Sequence, residues 1–178
     1  MKKSLARIAK LALIVCLLNG AAFADFREHF DLGQNYLANY QYSGAITEFR
    51  SALRINYLDN SARIGLINAY LARAAEYGNR DNNWAKAADD FRSALFYMVY
   101  YPTSTQVQNS ASAINQATKN LEVCLKATNF DFSPENRFNY AKKLRAEGNF
   151  SAAAYEFNQA LGSKSLQKNS FEQVGDIM

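Results

Sequence analysis

Three observations predict an all-α chain built from helix–turn–helix units stacked as a repeat solenoid. Alanine is abundant, β-branched runs are absent and the only prolines are Pro102 and Pro134, so long stretches favour helix and lack breakers. Phe49-Arg50-Ser51-Ala52-Leu53 recurs word for word as Phe91-Arg92-Ser93-Ala94-Leu95, and loosely as Phe157-Asn158-Gln159-Ala160-Leu161. An alanine also stands four residues ahead of each Phe, at Ala45, Ala87 and Ala153. Small-x3-Phe-x2-small is helical spacing, which puts both small residues and the ring on one face. Two small residues let a neighbouring helix approach, and the ring fills the space between them. That is packing chemistry, with nothing reactive in it.

Residues 1–24 have the pattern of a cleaved signal peptide. Lys2, Lys3, Arg7 and Lys10 form a basic start, Leu11 to Leu18 an apolar core and Asn19-Gly20 a break. Ala22-Phe23-Ala24 then supplies the small-x-small pattern a signal peptidase reads, with cleavage expected before Asp25. Eight apolar residues span only ~12 Å as a helix, against the ~20 residues a bilayer needs, so no stable membrane anchor is expected after cleavage. Cys16 lies inside the apolar run, where a lipoprotein signal would not place it. The expected location is outside the inner membrane, in a periplasm or secreted.

The charge balance depends on that cleavage. The whole chain carries 20 Lys+Arg against 16 Asp+Glu, but the signal contains four of the bases and none of the acids, leaving 16 of each. An isoelectric point near 9.0 therefore belongs to the precursor and is no argument for a nucleic-acid partner. Cys124 is the sole cysteine beyond the signal, so an internal disulfide is excluded and stability must come from packing.

Residues 25–101 read as two repeat units. Phe26 to Tyr40 is the first predicted helix, with Phe26, Phe30, Leu32, Gly33, Tyr36 and Leu37 at helical intervals and Gly33 allowing close approach. Asn39 to Ser43 is the turn, and Gly44 to Tyr57 the second helix, carrying Ala45, Ile46, Phe49, Ala52, Leu53 and Ile55. So short a turn makes the two an antiparallel pair. Leu32-Gly33-x2-Tyr36 followed by Tyr42-x2-Ala45-x3-Phe49-x2-Ala52 resembles one complete tetratricopeptide repeat. The chain departs from that family at His29, where tryptophan is commonest, and at Tyr57, where proline often closes the unit.

The second unit starts at Asn60, with Leu66 and Tyr70 matching the first helix, Ile67 in place of the family glycine, and Ala87, Phe91 and Ala94 matching the second helix. From Ala45 to Ala87 is 42 residues, about eight more than the ~34 of this repeat family. The surplus falls near 75–83, where Tyr77-Gly78-Asn79-Arg80-Asp81-Asn82-Asn83 predicts two extended helices joined by an Asn-rich turn, with Trp84 near the start of the second. That helix runs through Phe96-Tyr97-Met98-Val99-Tyr100-Tyr101 and stops by Pro102.

Residues 102–129 have two readings. Val107, Ala111, Ile114, Thr118, Leu121 and Leu125 make one helical stripe, and no glycine or proline interrupts it, which favours a single extra helix at 103–129, about 39 Å long. Ala117-x3-Leu121-x2-Cys124-Leu125 instead echoes the repeated phrase, and the 66 residues from Ala87 to Ala153 equal two periods of 33, which favours a degenerate repeat. Residues 130–178 hold a third recognisable repeat and the start of a further helix. Ser133 can cap and Pro134 suits a first turn. Tyr140-Ala141-x2-Leu144, Gly148-Asn149-Phe150 and Ala153-x3-Phe157-x2-Ala160 follow, and Gly162 closes the unit. Ser170 to Met178, with Val174-Gly175, reads as the opening helix of another repeat, so a longer parent chain is one expectation.

The inventory for catalysis is poor, and no enzyme activity, cofactor or metal is expected. His29 is the only histidine, which leaves a relay or metal cluster without a second imidazole. Cys124, on a helical stripe without a neighbouring histidine, reads as a small buried hydrophobe. Asp89 and Asp90 diverge by ~100° on a helix and read as charges offsetting the dipole near its start.

What remains is surface. In the family this chain resembles, first helices line a concave face that binds peptides or helices of partner proteins. By spacing, the resemblance assigns to that groove Arg27, Phe30, Gln34 and Leu37, then Asn68 and Leu71, then Phe138, Lys142 and Arg145. Phe30 and Ile64 interrupt the Lys/Asn carboxylate clamp that some members use. Phe96, Tyr97, Tyr100 and Tyr101 form a second candidate patch, suited to an interface because tyrosine joins an apolar ring to a wet hydroxyl. Covering the helix pair against residues 107–125 is the alternative role for these rings. The function expected is that of an exported, non-catalytic scaffold for an unidentified protein or peptide partner. The alternatives are an accessory region of a longer envelope enzyme or assembly factor, and a structural module in which the tyrosines form a self-contact giving a homo-oligomer.

Overall fold

The computed structural model describes residues 23–101 and 107–162, with 107–110 described for the backbone alone. The expected signal segment, apart from residues 23 and 24, and the expected helix opening at 170–178 lie outside the described residues, as does Pro102. Every regular element among the described residues is helical: α1 (23–38), α2 (Tyr42–Ile55), α3 (Asn60–Asn79), α4 (Trp84–Tyr100), α5 (Val107–Ala127), α6 (Pro134–Ala146) and α7 (Phe150–Leu161). Successive helices pack on one another within their units, an arrangement compatible with a helical-repeat solenoid. The chain divides into two compact units, Met1–Leu66 and Ile67–Met178, with the division falling inside α3.

In the first unit the α1–α2 turn depends on Tyr40, which adopts φ 60°. Gln41 N–H then donates to the Tyr36 carbonyl at 2.9 Å, reversing the chain. The first helix therefore stops two residues short of the predicted Tyr40. Phe49 of α2 is fully buried and clasped by two glycines. A Cβ built at Gly33 of α1 would lie 2.8 Å from Phe49 Cε1, and one at Gly65 of α3 only 2.4 Å from Cζ. The ring occupies the space that two missing side chains leave. Leu32 and Ile55, predicted on the apolar stripes, are instead exposed.

The second unit holds the other two copies of the phrase. Asn82, at φ 50°, turns the chain between α3 and α4, and the Asn83 side chain caps α4 by accepting from Lys86 N–H at 3.2 Å. Both helices are extended around an Asn-rich turn and Trp84 opens the second. Residues Val107–Ala127 form one unbroken helix, closed where Asn129 takes φ 51° and Phe130 N–H donates to the Leu125 carbonyl at 2.9 Å. Ser133 Oγ accepts from Asn136 N–H and Pro134 fills the first turn of α6. Gly148, at φ 77°, carries the chain from α6 into α7.

Two separate apolar cores result. One joins α3, α4 and α5 through Ala74, Phe91, Leu95, Leu121 and Leu125; the other joins α6 and α7 through Ala141, Leu144, Ala153 and Phe157. The latter grouping is self-contained, with Phe138 and Tyr140 packed along its edge. All nine small and aromatic positions of the three phrases are buried, with Phe91 the most exposed at 5%.

Candidate functional site

The described residues place the groove candidates in two environments. Arg27, Gln34, Asn68 and Lys142 are exposed on α1, α3 and α6. Phe30 and Phe138 are half-buried and already occupied: Phe30 meets Phe49 edge-on at 6.0 Å, and Phe138 meets Phe157 at 5.4 Å. Leu71 packs on the α3–α5 core, and Leu37 and Arg145 are half-buried. Lys142 Nζ sits 5.0 Å from the Phe138 ring centre. The exposed members are thus polar, and the apolar members of the set serve the cores beneath them.

The aromatic candidates form one stacked group at the end of α4. Phe96 contacts the rings of Tyr97, Tyr100 and Tyr101 at 5.4, 5.4 and 5.7 Å, and Tyr97 stacks on Tyr70 of α3 at 6.5 Å. Tyr100 is 42% exposed and Tyr101 38%. The group is anchored at Tyr70 and opens to solvent at its other end. Burial holds the Tyr100 phenol above its ordinary titration range.

A charged network that sequence reading missed lies where α4, α6 and α7 meet. Arg92 and Glu156 are 1% and 0% exposed. Arg92 Nε donates to Glu156 Oε1, Arg137 Nη1 to Glu156 Oε2 at 2.7 Å, and Arg92 Nη1 to Asp89 Oδ1 at 2.9 Å. Tyr140 O–H donates to the same Asp89 oxygen at 2.9 Å. The Arg92 guanidinium lies 5.0 Å from the centre of the Phe130 ring and 4.7 Å from that of Tyr140, two rings that meet edge-on at 5.3 Å. Two carboxylates face two guanidiniums, so the cluster is neutral as a whole.

Burying such ions costs several kcal/mol each. Charge-assisted bonds and the flanking rings offset that cost, although Arg92 Nη2 is buried without an acceptor among the described residues. Burial raises the Asp89 carboxyl above the usual carboxylate range, opposed by Arg92 and Tyr140. The Tyr140 phenol is raised by burial and by the charge of Asp89. The polar atoms of this cluster are directed at one another across three helices.

The network belongs to a regular device. The acid immediately before each phrase Phe pairs with a basic side chain on the preceding helix: Glu48 with His29 Nδ1 at 2.7 Å, Asp90 with Arg73 through two 2.8 Å bonds, and Glu156 with Arg137. Partners stand 19, 17 and 19 residues apart. The sequence signal was Glu48-Phe49, Asp90-Phe91 and Glu156-Phe157, an acid–Phe doublet in every copy. Asp89 and Asp90 are therefore guanidinium partners lying beyond the first turn of α4, which corrects their reading as dipole-offsetting charges.

Cys124 is buried, and burial raises its thiol above the ordinary range, as a packing residue requires. It lines a half-open cavity of about 290 Å³ with Trp84, Phe91, Gly78 and Val123. Among the described residues no group of three His, Cys, Asp or Glu side chains is placed to hold a metal ion, and no helix is long and apolar enough to cross a membrane. No protein-family model, curated protein or solved structure matches the chain.

Proposed function

We propose that the chain is an exported, non-catalytic scaffold of the tetratricopeptide type, which binds protein or peptide partners along the outward faces of its first helices. The observation that carries this reading is the division of labour in each helix pair. The phrase helix is buried through its Ala-Phe-Ala face, while Arg27, Gln34, Asn68 and Lys142 stay exposed on α1, α3 and α6. A face that is polar, repeated and supported by a packed core suits recognition of an extended partner. The open end of the Phe96–Tyr101 group favours a second reading, self-association through tyrosines.

Site-specific photo-crosslinking in cells producing the full chain tests the first reading. A crosslinking residue at Gln34, Asn68 or Lys142 is expected to capture discrete partners, whereas one at exposed Glu122 on α5 is not. Adducts no stronger from the three positions than from Glu122 would remove the groove assignment. Dimers of the chain captured from Tyr100 alone would favour the second reading.

A further inference from the structure

We propose that the α6–α7 hairpin is a detachable element, latched onto α4 by the Arg92–Glu156–Arg137 network and able to undock as a unit while α3–α5 stays folded. This is independent of what the outward faces bind. Three observations converge on it.

The hairpin has its own core. Ala141, Leu144, Ala152, Ala153 and Phe157 form an apolar cluster drawn from α6 and α7, distinct from the cluster of α3, α4 and α5. The joint with α4 has a different chemistry. At its centre are Arg92 and Glu156, with Asp89, Arg137 and Tyr140 around them, and Ser93 Oγ donates to Asn149 Oδ1 at 3.2 Å. Apolar contact at the joint includes Tyr155 on the α3–α5 core and Phe130 against Tyr140 at 5.3 Å, where α7 packs along α4. Finally, residues 128–133 between α5 and α6 lie outside helix, so undocking the hairpin breaks no helix.

The physical consequence follows from how ions behave at a joint. Apolar surfaces separate at a cost proportional to their area. A buried ion pair regains much of its hydration when it separates, so its net contribution to docking is far smaller than its Coulomb attraction. Such pairs are also directional, and they hold one geometry while bound. A joint centred on charges is therefore specific when closed and open to release. Arg92 Nη2, buried without an acceptor among the described residues, gains hydration on opening, which lowers the cost further. Undocking uncovers Arg92 and Ser93 on α4.

Native-state hydrogen exchange on the full chain tests this. At low denaturant, the amides of α6 and α7 are expected to converge on one shared opening reaction, with the amides of α4 and α5 converging on a second, rarer one. Glu156→Gln removes the buried carboxylate shared by Arg92 and Arg137, leaving Arg92 only Asp89, and is expected to speed α6–α7 exchange by about a hundredfold, with α5 within a few-fold of the parent. Convergence of all five helices of the second unit on one opening reaction would overturn the proposal in the parent protein, whether or not the variant folds. An equal rise in α5 and α7 in Glu156→Gln would overturn it too.

Discussion

Each repeated Phe lies in a space prepared by glycine or alanine, and each acid beside it finds a basic side chain one helix back. Phe49 and Phe157 are fully buried and truncation of either to Ala removes a filler that nothing nearby replaces. At Tyr140 the same economy of space has a pH signature. Burial and the Asp89 charge raise its phenol, so the folded chain keeps a proton that an unfolded tyrosine releases near pH ~10. The contribution is fully present below that unfolded value and is lost as pH rises toward the folded one. Above neutral pH, stability measured by denaturant titration should thus begin to fall near pH ~9, where the raised Cys124 thiol contributes, and fall more steeply above pH ~10. Tyr140→Phe should shallow that alkaline decline, with Tyr155 and Tyr100, both also raised by burial, supplying what remains. At neutral pH the same variant should cost about 1–3 kcal/mol, because Asp89 loses a hydrogen bond to its charged oxygen. An unchanged alkaline slope would show that Tyr140 does not set it.

Helices α1, α2 and the first part of α3 meet around one ring, so their approach is decided by what the glycines lack. Gly65→Ala would place a methyl 2.4 Å from Phe49 Cζ. The ring also lies against Gly33, where a Cβ would come within 2.8 Å of Cε1, so it has little room to move away and relief requires helix displacement. The expected penalty is about 1–3 kcal/mol in thermal or denaturant unfolding. Gly65→Ala with Phe49→Leu should recover part of it; a neutral Gly65→Ala would mean the clasp is loose. At this scale most of the fold was legible. Asn60 and Pro134 read as helix openings and Trp84 as near one, and each begins a helix. The signals are local there: an Asn-rich turn, a Ser-Pro cap, a small-x3-Phe stripe. Over residues 103–129 the missing glycine or proline favours one helix, while the echo of the phrase and the 66-residue spacing keep a degenerate repeat open; Val107–Ala127 is one helix.

At the level of the whole molecule, stability is distributed over two compact units and, within the second, two apolar cores. The scaffold reading expects light scattering of the mature protein to give the mass of one chain across a wide concentration range. A mass that rises with concentration, and falls back in Tyr100→Ser with Tyr101→Ser, would instead identify the aromatic group as a self-contact. The candidate faces were legible only as positions: spacing alone could place Lys142 and Phe138 on the same helix, but not show that Phe138 covers Phe157 while Lys142 stays in solvent. The sequence by itself determined the helices, the repeated phrase and the lengthened second unit, because propensity, caps and turn residues act over a few residues at a time. Tertiary structure alone decided which charges meet. Arg92 and Glu156 stand 64 residues apart, and the identical phrase does not distinguish Arg92 from Arg50; the local difference that reaches Arg92, Asp89 where the first copy has Thr47, says nothing of Glu156. Only the docking of α7 on α4 gives one of those two arginines a buried carboxylate.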